Sequence, residues 1–303
     1  MSEKTEESSG KNITFVISSF GKGSLQPDGN PDPFLGALKN SIKQIYADAK
    51  ILVSCNGLSD PREVNAINKQ IDIARDNCKF LKDSPGSLKL VTHYHAWRHI
   101  DTEWAVFLDS DMLLLKNIDQ YLTDNTDYIF TWRKKDMTIR GEWPWLNAGT
   151  MICRNTPNVR AFWQKYYDLM WKHAMFNRGD QFAFVELLDG FNKKINYGKE
   201  LFKLENNQTI EFVDHGIKFK TIHCDYLNRS APFEPWLEET AIQHLKGIQG
   251  TIITKTDKEN RYQVFLNNTL PSLSPERRKN LKKRIDLWKK FASEEIANGV
   301  IDL

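Results

Sequence analysis

The first apolar run of the chain, Ile13–Ser18, is short, rich in β-branched side chains and closed by Gly21 and Gly23, which predicts a buried strand. Asp32 then offers a helix cap and Pro33 a first helical residue, after which Leu35, Leu38, Ile42 and Ile45 recur at helical spacing. The device repeats at once. Residues 51–54 read as a second strand, Asp60 and Pro61 open a helix in which Glu63 completes a capping box, and Val64, Ile67, Ile71 and Ala74 share one face. A strand followed by a helix, twice over, predicts a parallel sheet. Residues 78–81 read as a third short strand, and 87–98 as a helix burying Leu90, Tyr94 and Trp97. Residues 104–108 form a fourth strand, apolar throughout and therefore covered on both faces.

Downstream the pattern loosens. It gives strands at 128–132 and 150–153, helices at 161–171 and 180–188, and a last helix opened by Ser274 and Pro275 that lines up Leu281, Ile285, Trp288 and Phe291. No internal repeat is present. The expected fold class is α/β, a mostly parallel, Rossmann-like central sheet flanked by helices, with a helical C-terminal extension.

Composition narrows this picture only at its edges. With 303 residues and 40% hydrophobic positions, the chain can build one large α/β domain, or one domain with an appendage. Forty-two basic against 39 acidic residues leave a net charge of +3, too slight to steer the whole molecule to nucleic acid or anionic lipid. Any basic patch must be local, as around Arg277, Arg278, Lys282, Lys283, Lys289 and Lys290. The four cysteines form no C-x-x-C pair, which excludes a zinc knuckle or a redox dithiol and suits a reducing compartment. The first twelve residues lack the apolar core of a signal peptide, and no run reaches the ~18 apolar residues of a spanning helix. A cytoplasmic location is expected, and the sequons at Asn12, Asn207, Asn228 and Asn267 then arise by chance.

The most informative stretch is F-L-D-S-D-M-L-L-L, in which Asp109 and Asp111 lie one residue apart between two apolar runs. Ionised carboxylates are too costly to bury unpaired, so they are expected where the strand leaves the sheet, at the C-terminal edge where open α/β sheets bind ligands. In an extended segment residues two apart point the same way, so both can converge on one divalent cation, or on a cation and a ribose. The alternatives are a solvated turn, or the nucleophile motif of an aspartate-dependent phosphatase, which also follows an apolar strand. That second motif calls for Thr or Val where Met112 stands, and it usually opens the domain.

A second cluster, L-N-A-G-T-M-I-C, places Asn147, Ala148 and Gly149 in a small, permissive turn before an apolar strand. Such a turn is either ordinary or lets the backbone approach a sugar while Asn147 bonds its hydroxyls. Trp143 and Trp145 stack on an acceptor or belong to the core. Asp180 and Gln181 sit at a helix start, where a cap is the plain explanation. His244, in Q-H-L-K-G, has ligand character, although a lone histidine is commonly structural. Gly21-Lys22-Gly23-Ser24 is no phosphate loop, because prolines replace the helix that would hold the phosphate.

In their order and spacing, F-L-D-S-D-M-L-L-L-K-N, L-N-A-G-T-M-I-C-R-N-T, G-D-Q-F-A-F and Q-H-L-K-G resemble the retaining, nucleotide-sugar-dependent glycosyltransferases of the GT-A fold. The chain is most similar to the glycogenin and lipopolysaccharide-galactosyltransferase group and to the plant and fungal α-galactosyl- and α-xylosyltransferases. The chain is expected to divide into a disordered tail over 1–11, a catalytic domain over 12–250 and, over 251–303, an extension with the basic amphipathic helix that the resemblance does not reach. The resemblance implies a Mn²⁺ or Mg²⁺ held by Asp109, Asp111 and His244 on the diphosphate of a nucleotide-sugar donor, with UDP as the expected nucleotide. Asn147, Ala148 and Gly149 become donor-sugar contacts, and Asp180 and Gln181 flank the anomeric carbon. Ser18, Ser19 and Phe20 face the base and ribose, Lys89 or Arg98 reaches the phosphates, and Gly247 lines the pyrophosphate. The acceptor is a glycan, a protein or a modified DNA. One departure stands out: Ile-Gln-Gly follows Gly247 where the glycogenin group has Lys-Pro-Trp, so the pyrophosphate lysine is unassigned between Lys246 and Lys255. Two other functions compete: a metal-dependent phosphatase or phosphotransferase acting through Asp109, and a nonenzymatic nucleic-acid or membrane binder using the basic C-terminal helix.

Overall fold

A computed structural model of the chain describes residues 12–18, 33–55, 69–72, 85–133, 146–174, 179–188, 208–229, 237–245 and 270–292. Among these, eight strands form one sheet. They are β1 (Ile13–Ser18), β2 (Lys50–Cys55), β3 (Lys69–Asp72), β4 (Trp104–Asp109), β6 (Tyr128–Trp132), β7 (Leu146–Arg154), β8 (Glu211–Asp214) and β9 (Ile217–His223), in the order β3-β2-β1-β4-β7-β6-β9-β8. All run parallel except β7, which is antiparallel to both its neighbours, and β8 at the edge. The expected mostly parallel α/β sheet is present. A separate ribbon pairs β5 (Met112–Leu114) with β10 (Ile242–His244) in antiparallel register, His244 opposite Met112.

Helices cover both faces. Helix α1 (Pro33–Ile45) packs Leu35, Leu38 and Ile42 against β1 and β4 residues such as Phe15 and Val106. The other face carries α2 (Pro85–Ala96), α3 (Pro157–Met170) and α4 (Gly179–Leu187) over Phe107, Tyr128 and Phe130. Helix α3 begins four residues before its predicted start. Thr156 caps it by accepting the Val159 N–H at 3.3 Å, and Pro157 occupies its first turn, so the start signal lay in R-N-T-P. In α2, Tyr94 is half-buried rather than buried. It stacks on Tyr167 at 4.1 Å between ring centroids, and the fully buried position is its neighbour His93.

Two further expectations need correction. The helical face through Ile71 fails there, because 69–72 is the edge strand β3, paired parallel with Leu52–Cys55 of β2. Gln-Ile-Asp-Ile alternates as well as it fits a helix, and a free sheet edge decided between the two periods. The rest of that helix, the strand at 78–81 and the tail at 1–11 lie outside the described residues. The N-A-G cluster is no turn: Asn147, Ala148 and Gly149 lie inside the nine-residue β7, bonded to β4 and β6. Small residues here serve close side-chain approach across the sheet.

Beyond a single helical turn at Leu270–Ser272, the last described helix, which we number α5 after these four, spans Pro275–Phe291. Ser274 caps it by accepting the Arg277 N–H at 3.3 Å. Leu281, Ile285 and Trp288 are buried with Ala37 of α1, Leu113 of β5 and Leu245 just after β10, while Phe291 is half-buried. Arg277, Arg278, Lys282, Lys283 and Lys290 are exposed. Arg284 was not singled out in the sequence, yet it is fully buried and its Nη1 donates to the Asn280 carbonyl at 3.1 Å. Among the described residues, no helix is long and apolar enough to cross a membrane.

Two stability predictions follow from this packing. Trp288 is fully buried, 6.0 Å from Phe34, so Trp288→Ala should cost about 3–5 kcal/mol, read as a lowered urea midpoint. An unchanged midpoint would show that α5 lies outside the cooperative unit. His93 is fully buried, neither ring nitrogen has a hydrogen-bond partner among the described residues, and burial, aided by Lys89, holds its pKa well below the ordinary value. The unfolded chain therefore binds a proton below pH ~6.5 that the folded chain refuses, and stability should fall by up to about 1.4 kcal/mol per pH unit on the acid side. Urea titrations at pH 7 and pH 5 should show a smaller acid loss in His93→Leu than in the wild type; equal losses would refute this origin.

Candidate active site

Parallel strands deliver their C-terminal ends to one edge of the sheet, and Asp109 is the last residue of β4, registered against Ser18, the last of β1. A two-residue turn through Ser110 and Asp111 then hands the chain to β5. The two aspartates converge through this turn rather than along an extended run. The Leu245 N–H donates to the Asp111 carbonyl at 2.7 Å, which locks the end of β10 beside the turn and brings His244 to it. One ligand atom from each of Asp109, Asp111 and His244 lies within 4.8 Å of the others. His244 Nε2 is 3.1 Å from Asp111 Oδ1 and 3.8 Å from Asp109 Oδ2. Asp111 and His244 are buried, whereas the Asp109 side chain is 23% exposed, so the group opens to solvent on one side.

Lys89, projecting from the first turns of α2, completes the charge pattern. Its ammonium lies 3.1 Å from Asp109 Oδ1 and 3.4 Å from Asp180 Oδ2, and donates to the Ala148 carbonyl at 2.9 Å. Burial alone would lower its pKa, but the Asp109 and Asp180 carboxylates outweigh that cost and hold it above the ordinary lysine value. Asp180 reaches Lys89 because Gly179 lets α4 approach α2: a Cβ at Gly179 would stand 2.4 Å from both Ser87 Oγ and the His173 carbonyl. The Tyr166 hydroxyl donates to the Asp180 carbonyl at 2.9 Å, fixing this first turn of α4. A helix N-terminus also favours the carboxylate there.

Among the described residues, the site gathers three carboxylates, one ammonium and one imidazole. The donor set is two carboxylates and one imidazole. Donors ~2.1 Å from a small octahedral cation stand about 3 Å apart, so the Asp111–His244 spacing already suits a shared ion. The residues present therefore fit a divalent cation by charge, by ligand type and by spacing.

The structure thus brings together Asp109, Asp111, His244, Lys89, Asp180 and the Asn147–Gly149 segment. Gln181 is buried beside Asp180 in α4. Ser18 closes β1 next to Asp109, its Oγ 2.6 Å from Thr92 Oγ1. Arg98 is not at the site. It is exposed in the 3-10 turn that follows α2, near the start of β4, and so at the opposite end of that strand from Asp109. Helix α2 runs antiparallel to the strand, and only its first turns reach the C-terminal edge. Ser19, Phe20, Trp143, Trp145, Lys246, Gly247 and Lys255 lie outside the described residues. Sequence reasoning missed Asn228, whose Oδ1 lies 2.8 Å from His244 Nδ1, and Thr131, whose Oγ1 lies 3.2 Å from Asn228 Nδ2. No spacing signal marks either. Asn228 is fully buried, which agrees with reading its sequon as chance.

A family model for nucleotide-diphospho-sugar transferases matches residues 105–261, just over half of the chain, from the start of β4 to beyond His244. The chain belongs to the nucleotide-diphospho-sugar transferase family. No curated protein matches it closely enough in sequence to be counted as a relative. Among solved structures, the glycosyltransferase GlyE of Streptococcus pneumoniae TIGR4 is 14% identical with a TM-score of 0.52. That match covers 95% of this chain and 63% of GlyE, so the chain spans less than two thirds of the length of that neighbour. The galactosyltransferase LgtC, solved with donor and acceptor sugar analogues, is 13% identical with a TM-score of 0.42, over 88% of this chain and 100% of LgtC. A glycosyltransferase involved in glycosylating the major capsid of PBCV-1 is 10% identical with a TM-score of 0.43, over 83% of this chain and 98% of the other. The GlyE likeness establishes the fold, an α/β sheet of the GT-A glycosyltransferase type.

A cation that binds the folded transferase raises its stability in proportion to the logarithm of its concentration above Kd. Mn²⁺ should therefore raise the melting temperature of the wild type, and Asp111→Ala should abolish the increase. Equal shifts in both proteins would place the ion elsewhere.

Proposed function

We propose that this transferase moves a hexose from a UDP-linked donor to a hydroxyl acceptor with retention of anomeric configuration, at a divalent cation held by Asp109, Asp111 and His244. The observation that carries the reading is the convergence of these three side chains at the C-terminal edge of the sheet, inside the segment matched by the family model. Mn²⁺ suits a mixed carboxylate and imidazole site somewhat better than Mg²⁺. Such a cation, when bound, neutralises charge on the departing nucleoside diphosphate.

The chain's own groups do the remaining work. Lys89 holds Asp109 and Asp180 at fixed spacing and, through the Ala148 carbonyl, ties them to β7. That strand presents Asn147 to the donor sugar: the Thr131 hydroxyl donates to the Asn147 carbonyl at 2.7 Å and the Gly149 N–H to its Oδ1 at 3.1 Å. Asp180 is committed to the Lys89 ammonium and is not free to strip a proton from an incoming hydroxyl. This supports attack from the face of the leaving group, the diphosphate oxygen taking the acceptor proton. Family membership also favours sugar transfer over phosphate-ester hydrolysis by Asp109.

Asp109→Ala and Asp111→Ala should each lower donor hydrolysis and transfer by more than the ~10–100-fold typical of outer groups around a metal, with the far-UV spectrum unchanged. Wild-type turnover in chelator without added metal would count against the metal. Anomer-resolved NMR of the first product should show the donor's configuration; the opposite anomer would rule out retention.

A further inference from the structure

His244 can serve as a ligand only if Nε2, the nitrogen that faces Asp109 and Asp111, carries a lone pair rather than a proton. Which nitrogen holds the proton is decided by the hydrogen bonds behind the ring. At the irregularity between Phe130 and Thr131, where the register of β6 against β7 shifts, the Thr131 hydroxyl donates to the Asn147 carbonyl at 2.7 Å. A hydroxyl has one proton, so Thr131 Oγ1 can only accept from Asn228, 3.2 Å away, and the amide nitrogen of Asn228 must face it. The carbonyl oxygen of Asn228 is then the atom 2.8 Å from His244 Nδ1, and an oxygen without a proton requires Nδ1–H. The direction of each bond follows from the one before. The last of them leaves Nε2 bare toward the two carboxylates.

The backbone holds this chain of bonds in place. Asn228 ends the short helix Cys224–Leu227, whose Leu227 carbonyl accepts the Thr150 hydroxyl at 2.7 Å, and the His244 N–H donates to the Arg229 carbonyl at 2.9 Å. Gly149 makes room. A Cβ there would lie 2.8 Å from Asn228 Nδ2 and 3.0 Å from its Oδ1, closer than packed carbon atoms stand, and the buried amide has nowhere to retreat.

We propose that Asn228, oriented by Thr131 and seated against Gly149, is the positioning residue that makes His244 a metal ligand. Gly149 then serves the metal site as well as the donor. The inference rests on the cation reading given above, and the two fail in different ways. Mn²⁺ is titrated into the full chain in the absence of any nucleotide, with free Mn²⁺ followed by electron paramagnetic resonance. Asn228→Leu should weaken the affinity by ~10–100-fold, and Asn228→Asp, which keeps an acceptor for Nδ1–H, should restore most of it. Gly149→Ala should weaken it in the same sense although no sugar is present. Should Asn228→Leu not fold, Thr131→Val, which removes the hydroxyl that orients the Asn228 amide, takes its place and should weaken Mn²⁺ affinity in the same sense. No Mn²⁺ binding by the wild type would overturn the cation reading and this inference with it. Binding by the wild type together with undiminished affinity in Asn228→Leu, or in Thr131→Val where the former does not fold, and in Gly149→Ala would overturn the inference alone.

Discussion

Among the described residues, three carboxylates share one partly buried corner of this protein with the ammonium of Lys89. Asp109, Asp111 and Asp180 repel one another in a region that water only partly reaches, and Lys89 can offset one charge of the three. Much of the surrounding architecture answers that constraint. Gly179 brings Asp180 close enough to use the ammonium, the Ala148 carbonyl occupies a third donor position of Lys89, and the site opens to solvent at Asp109. A corner so rich in carboxylate oxygens is well matched to a divalent ion. The proposed activity uses the same imbalance, since a cation seated there would meet the diphosphate of the donor.

The second requirement is that ligands from distant parts of the chain meet without a flexible connection. Asp109 and Asp111 belong to the turn between β4 and β5, while His244 ends β10. The β5–β10 ribbon brings them together through backbone bonds, so side-chain freedom is spent only at the last atom. Parallel strand ends alone would have supplied Asp109 and Ser18. It takes the ribbon to supply the imidazole.

Much of this was legible in the sequence, for identifiable reasons. Short β-branched runs marked β1, β2 and β4, because fully covered strands must be apolar on both faces, and carboxylates directly after such a run have few places to go. The order of the D-x-D, N-A-G, G-D-Q and H-x-x-G segments exposed the family resemblance. What escaped was set by contacts rather than by pattern. Residues 69–72 fit two periods, and the open edge of β2 chose strand. N-A-G has the composition of a turn, but Gly149 answers to Asn228 and Met112 and the Ala148 carbonyl to Lys89, residues that no local spacing could connect to it. Arg98 looked equivalent to Lys89 as a cation on one helix, yet two and a half turns of helix carry it to the other end of the sheet. Asn228 lies in an undistinguished C-D-Y-L-N stretch, and its importance comes wholly from the bonds of its amide.

The C-terminal helix completes the argument, because its position converts a packing question into a functional one. Its apolar face does not rest on a remote surface. Leu281, Ile285 and Trp288 lie in one cluster with Leu113 and Leu245, residues adjacent in sequence to Met112 and His244. The ribbon that carries the proposed ligands is thus clamped between the main sheet and α5, with Ala37 of α1 closing the same cluster. Close-packed interiors transmit displacement rather than absorb it, so the seat of His244 and the docking of α5 are parts of one mechanical unit. Arg277, Arg278, Lys282, Lys283 and Lys290 stay exposed while Leu281, Ile285 and Trp288 are buried, so the helix meets the ribbon through apolar side chains rather than through its charges.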